Sequence, residues 1–233
     1  MSRSDGIQKA LTEVMAAERP TRAWVSGSQI PWHDPEFSRR MLAVHLDAST
    51  HMASRSPDVI NRHLDWLVAQ LAAAGLEGGH VLDVGCGPGL YCHELARRGF
   101  RTTGLDFGPA SLQWAETVAA AENLACRFFA ADLTDLPDDF AARTGPVDAI
   151  TFWFGEFHSF PPRVAAEILQ HLAALLKPGG LFVLEYQPWE IFVTEDSSRW
   201  AAEERSVFSD EPHLWLQEFF WDCLLYTSPS PRD

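Results

Sequence analysis

Val81-Leu82-Asp83-Val84-Gly85-Cys86-Gly87-Pro88-Gly89 decides the fold. It reads as a buried apolar strand that runs into a turn with three alternating glycines. A helix then opens at Leu90. Glycines at such a turn permit backbone angles closed to other residues and let a ligand approach the main chain. The helix that follows presents unpaired N–H groups. Asp83, near the strand end, can accept a hydrogen bond from a ligand ammonium. The dinucleotide fingerprint is G-x-G-x-x-G. Here the third glycine comes one position early and Leu90 follows it, so a nicotinamide-dependent oxidoreductase is the lesser alternative.

Outward from that turn, strands and helices alternate. Strands are predicted at His80–Val84, Arg101–Leu105, Cys126–Ala130, Ala149–Trp153 and Leu181–Tyr186. Helices are predicted at Leu90–Arg98, Pro109–Glu122 and Pro162–Leu176, with a short helical turn within Asp135–Ala142. This alternation with near-continuous apolar strands argues for a doubly wound, mostly parallel α/β sheet. Lys177-Pro178-Gly179-Gly180 reads as a tight turn. Upstream, Ser56 is placed as N-cap and Pro57 at the first helical position. Ile60, Leu64, Leu67 and Leu71 then follow helical spacing, and Gly75 ends that helix. Gly6–Glu18 and Ser38–Asp47 read as two further helices. Trp189–Trp200 reads as irregular and His213–Asp222 as an aromatic strand.

The whole chain has 233 residues, 46% hydrophobic and 21% charged, with a net charge of −14. That size supports one α/β domain. The acidity disfavours phosphate backbones, and Arg39-Arg40 and Arg97-Arg98 are isolated pairs, so no nucleic-acid partner is expected. The four cysteines form no CxxC pair, and the spacing of His33, His45 and His51 demands no metal. The polar start and the lack of a long apolar run lead to the expectation of a cytoplasmic protein with no membrane partner.

Asp83 through Gly89 resembles motif I of class I S-adenosylmethionine (SAM)-dependent methyltransferases. The likeness covers roughly His80–Tyr186, with further similarity in Trp32-His33-Asp34-Pro35 and His45-Leu46-Asp47. It implies a Rossmann-like core at 58–188 beneath an N-terminal helical lid at 1–57. It also implies SAM as cofactor and S-adenosylhomocysteine as product. Asp83, Gly85, Cys86, Gly87 and Gly89 are expected around the methionine half of the cofactor. Asp106, 21 residues beyond Gly85, is expected to accept from both ribose hydroxyls, with Phe107 on the adenine face. Asp132 and Leu133 are expected at the adenine edge, and Trp153 at the cofactor. Trp32, His51, Arg55 and Arg62 are candidates for the cofactor carboxylate or the substrate. The fourth strand ends in Trp153-Phe154-Gly155-Glu156-Phe157-His158, where the acceptor should sit. Glu156 or His158 there can remove an acceptor proton. A small organic acceptor is implied, and a SAM-binding protein without turnover is the alternative.

Two expectations concern the C-terminal part. Cys223-Leu224-Leu225-Tyr226-Thr227-Ser228-Pro229-Ser230-Pro231-Arg232-Asp233 resembles the translation of a sequencing adapter, so 223–233 is set aside as an artefact tail. Residues 189–222 resemble a substrate-side hairpin arm broken off after one strand. The last helix and strands of the sheet are then expected to be missing, which leaves the fifth strand as an exposed edge prone to association.

Overall fold

The computed structural model describes residues 8–9, 11–12, 15–16, 30–188 and 195–219. The described residues of the Gly6–Glu18 helix are helical. The rest of that segment, Trp189, and the tail from 220 onward lie outside the described residues.

The chain divides into two compact units. One holds Ile30–Trp189 with Arg205–Asp210; the other holds Met1–Gln29, Glu190–Glu204 and Glu211–Asp233. Residues 30–57, part of the stretch read from sequence as an N-terminal lid, fall in the first unit.

In the first unit, helices α1 (Pro35–Leu46) and α2 (Pro57–Ala73) precede β1 (His80–Val84) and α3 (Leu90–Arg97). Then follow β2 (Arg101–Asp106), α4 (Pro109–Glu122), β3 (Cys126–Ala130), α5 (Phe140–Thr144), β4 (Val147–Phe152), α6 (Pro162–Ala173) and β5 (Leu176–Leu184). The sheet is wholly parallel in the order β3-β2-β1-β4-β5. Its direction of winding reverses at β1, so the crevice beyond the carboxyl ends of β1 and β4 is where a ligand belongs.

Both sheet faces are buried, as the apolar strands require. Ile60, Leu64, Leu67 and Leu71 of α2 pack with Val81, Leu95 and Ala149 on one face. Leu82, Val84, Ile150, Ile168 and Leu172 form the core of the other. Each such aliphatic side chain contributes about 1.5–3 kcal/mol on burial. Ser56 sits at the α2 N-cap without a side-chain capping bond, whereas Asp34 caps α1 by accepting from the Phe37 amide at 2.7 Å. The two proline-led helix starts at Pro57 and Pro109 lie where the sequence placed them.

Two differences are instructive. Lys177–Gly180 falls within β5 but leaves the ladder, because Val147 pairs with Leu176 and Ala149 already with Leu181. The turn is therefore a bulge in the strand, not a turn before it. In the second unit, Ser197–Glu203 is a strand (β6) paired antiparallel with β7 (His213–Phe219). The arm has both strands. Ser197-Ser198-Arg199-Trp200-Ala201-Ala202-Glu203 hides its strand character because few of its residues favour β structure.

Candidate active site

The glycine turn is built as the sequence demands. Gly85, Gly87 and Gly89 all have positive φ (67°, 52° and 71°). The amides of Gly85 and Cys86 both donate to the Leu105 carbonyl (2.8 and 3.1 Å), which ties the turn to the end of β2. Gly104 makes room for this: a Cβ there would lie 2.6 Å from Cys86 Sγ and 2.6 Å from Phe128. The Cys86 thiol is consequently turned into the core, and burial pushes it up to about 11. Only its backbone can face a ligand.

Asp83 is fully buried. Its Oδ1 accepts from the Thr151 hydroxyl at 2.8 Å, and the Cys92 thiol points at Oδ2. Burial raises it to about 7, against the opposing hydrogen bonds, and the nearby Asp106 charge adds to the rise. Its side chain braces the strand end from below.

Asp106 Oδ1 accepts from the Phe107 and Gly108 amides (both 2.7 Å), and Oδ2 accepts from the Gly87 amide at 2.8 Å. Burial pushes its carboxyl upward despite these three donors. A carboxylate offers about four acceptor positions. Oδ1 takes two of these donors and Oδ2 one. Asp132 closes an Asx turn, accepting from the Thr134 amide and hydroxyl (both 2.8 Å), and Leu133 packs against the core.

Beyond β4 the backbone is strained. Phe154 has φ 66° and is followed by Gly155 at 75°, an arrangement concentrated at functional sites. The Phe154 amide donates to Glu185 Oε2 at 2.7 Å. Glu185 also pairs with Arg55, whose guanidinium lies 4.5 Å from the Phe154 ring centre. Glu156 opens the short 3₁₀ turn Glu156–Ser159. Burial and the Asp106 charge both raise its carboxyl. His158 donates from Nδ1 to the Gly155 carbonyl at 3.0 Å.

Trp153 is buried just past the end of β4. Its ring stacks on Tyr91 (4.8 Å between centres) and on His63 (5.4 Å), and its indole N–H has no partner among the described residues. Of the upstream candidates, Arg55 reaches the crevice as above. Trp32 packs between Phe37 and His45. His51 and Arg62 are exposed.

Sequence reasoning gave His45 no role, yet it sits on the glycine turn. A Cβ at Gly87 would lie 3.3 Å from its ring. Its Nδ1 meets the Ser54 hydroxyl at 2.8 Å, and burial lowers it to about 4, so the ring is neutral near pH 7. The signal was weak, since a histidine in the last turn of an amphipathic helix has no sequence link to a motif 40 residues on. Glu185, just past β5, was missed for the same reason. An open groove of about 740 Å³ lies elsewhere, beside β3, between Glu116, Asn123 and Arg143. It gathers no converging set of carboxylates, and we place the site at the glycine turn.

The donor set suits a ligand that carries a hydroxyl, a planar ring and positive charge. It supplies an acceptor at Asp106, a half-buried ring at Phe107, and raised carboxyl groups at Asp106 and Glu156 without a cation among the described residues.

Residues 81–180 match the family model of a methyltransferase domain. A ubiquinone biosynthesis O-methyltransferase of Erwinia tasmaniensis is 36% identical over 117 residues, which is 50% of this chain and 45% of that protein. The chain thus spans about half the length of the curated relatives it matches. Among solved structures, the CcbJ methyltransferase of Streptomyces caelestis superposes with a TM-score of 0.57 at 18% identity, covering 82% of this chain and 71% of that one. A SAM-bound amino pentose methyltransferase of Micromonospora echinaspora gives 0.50 at 21% identity, covering 69% and 75%. The fold is that of class I methyltransferases.

Proposed function

We propose that this chain, whose residues 81–180 match the family model of a methyltransferase domain, binds SAM and methylates a small organic acceptor. The observation that carries this reading is the Asp106 carboxylate, held against the Gly87 amide at the mouth of the glycine turn. Gly85, Gly87 and Gly89 would hold the methionine half, Asp106 a ribose hydroxyl, and Phe107, Asp132 and Leu133 the adenine. When bound, SAM supplies an electrophilic methyl group on a sulfonium, with a neutral thioether as leaving group.

The residues of this chain act mainly by placement. Orienting an acceptor in line is worth up to about 7–11 kcal/mol in favourable systems. Phe157, His158 and Tyr186 stand in a row, with ring centres 6.3 and 5.4 Å apart, which suits an acceptor with an apolar body. Glu156, with its proton affinity raised by burial and by Asp106, takes the proton that an acceptor hydroxyl or amine gives up. His158, on the same turn, is the second candidate base. Backbone groups on the outer side of β5 remain unpaired among the described residues, and half-buried Phe182, Val183 and Leu184 border them. Association through that edge is part of the proposal, and a chain that stays monomeric in concentrated sedimentation runs would refute that part.

The test is a calorimetric titration with S-adenosylhomocysteine, with NADH as control. Selective binding of the former is expected, weakened at least roughly 100-fold by Asp106→Ala and unchanged by Glu156→Gln. Glu156→Gln should instead lower kcat by roughly 10²-fold or more with an acceptor bearing a protonated nucleophile. Selective NADH binding would overturn the reading.

A further inference from the structure

Phe154 sits in the left-handed region, with φ 66°, although a bulky side chain disfavours it. Such a residue persists there only where its surroundings over-determine it. Three side chains do so here. The Phe154 amide donates to Glu185 Oε2 at 2.7 Å. The Phe154 carbonyl lies 3.5 Å from the side-chain amide of Gln187. The Arg55 guanidinium lies over the Phe154 ring, 4.5 Å from its centre. Glu185 ties the set together, because its other oxygen pairs with Arg55. Gln187 also fills the space beside Gly155, where a Cβ would lie 2.6 Å from its side chain.

None of these groups belongs to the loop it holds. Glu185 and Gln187 follow β5, and Arg55 precedes α2. The Glu185 amide donates to the Phe152 carbonyl at 2.9 Å, which carries the pairing of β4 and β5 up to the turn. The 3₁₀ turn with Glu156 and His158 starts directly after Gly155, and the His158 amide closes it onto the Gly155 carbonyl at 3.0 Å. The backbone angles at Phe154 therefore set where Glu156 stands. The Asp106 charge acts on Glu156, so both carboxyl groups belong to one site.

Resting on the reading that the chain binds SAM and that Glu156 takes the acceptor's proton, we propose that Glu185 is a positioning residue. Its carboxylate, paired with Arg55, fixes the left-handed turn at Phe154 and so places the Glu156 carboxyl beside the methyl group being transferred. Glu185 acts through the turn alone.

The test compares two ligands by calorimetry on the full chain. One is S-adenosylhomocysteine. The other is sinefungin, in which a carbon bearing an ammonium group replaces the methylsulfonium. Only sinefungin puts a positive charge where the methyl would be, so the ratio of the two affinities reports where the Glu156 carboxyl stands. Glu156→Gln should lower sinefungin affinity relative to S-adenosylhomocysteine roughly tenfold. Glu185→Ala should lower the ratio by the same factor, leave S-adenosylhomocysteine affinity unchanged and speed amide exchange at Phe154. Glu185→Gln keeps an acceptor for that amide and should restore most of both. Arg55→Met leaves Glu185 without its cation; it should lower the ratio in the same direction, and it serves if the alanine variant fails to fold. A ratio lowered in Glu156→Gln but unchanged in Glu185→Ala would overturn the positioning role and leave the cofactor reading intact. Equal weakening of both ligands in Glu185→Ala would overturn it too, because a pair that served only stability would act that way. A ratio unchanged in Glu156→Gln would overturn the proton-accepting role of Glu156 and the positioning role with it. A wild-type chain that binds neither ligand would overturn the SAM reading itself.

Discussion

At the amino ends of the strands, Asp148 receives the Lys177 ammonium on both oxygens (2.8 Å each) and the His80 amide at 2.7 Å. Burial pushes its carboxyl up, but the His80 amide and Lys177 hold it below the usual range. At the carboxyl ends, Asp83, Asp106 and Glu156 are pushed upward by burial, and none has a cationic partner among the described residues. The Asp106 charge also raises both of the others. The two ends thus differ: one carboxylate is paired with a lysine of its own chain, and three carboxyl groups at the other end have their proton affinity raised by burial with no cation beside them among the described residues. Buried charge with its own lysine is a structural device. Buried charge without one costs stability and marks a functional site. A sulfonium ligand with an ammonium supplies the kind of charge the second group lacks.

The sharpest way to break this contrast is Asp83→Asn. The folded carboxyl is raised to about 7 from 3.8. Between these values the folded state holds a proton that the unfolded chain has released, so wild-type stability falls as pH rises through the window. The asparagine variant lacks this loss and keeps an acceptor for Thr151. Its stability relative to wild type should increase from pH 4 to 7, by at most about 4 kcal/mol, and then level off. Thermal midpoints at a series of pH values test this. A constant difference between the two proteins across the window would mean that Asp83 is an ordinary carboxylate.

A smaller effect is expected at Gly104→Ala. The new Cβ would crowd both Cys86 and Phe128, whose positions set the glycine turn. Such overpacking costs about 1–3 kcal/mol. Since the turn rests on that contact, S-adenosylhomocysteine affinity should fall with stability. Denaturant midpoints unchanged from wild type would show that the strand yields without disturbing the turn.

How far the sequence revealed this arrangement depended on the kind of signal. The glycine turn, the strands β1 to β3 and helix α4 announce themselves through local pattern, and Asp106 through its distance from the turn. Groups that act across the fold leave no such mark. His45 and Glu185 reach the site only because α1 and β5 deliver them there. Trp153 lies just past β4, and its ring meets Tyr91 of α3 and His63 of α2. β6 was missed because its small and polar residues look like loop.

The amino-end cluster allows the opposite test. Lys177→Met removes the cation from Asp148 and leaves its carboxylate with the His80 amide. A hydrogen bond to a charged group contributes about 1.5–3 kcal/mol. Lys177 is 40% exposed, so water screens part of this and a loss of about 1–2 kcal/mol is expected. Asp148 is lowered below 3.8 in the folded state, so its contribution is present above the unfolded value and disappears as pH falls through the folded one. The gap between variant and wild type should therefore be constant from pH 8 to 5 and close below pH 3.8. Affinity for S-adenosylhomocysteine should stay at the wild-type value, since Lys177 lies at the opposite end of the strands from the glycine turn. If binding weakened along with stability, the two ends of the sheet would be coupled, and the division between a self-neutralised end and a ligand-neutralised end would fail.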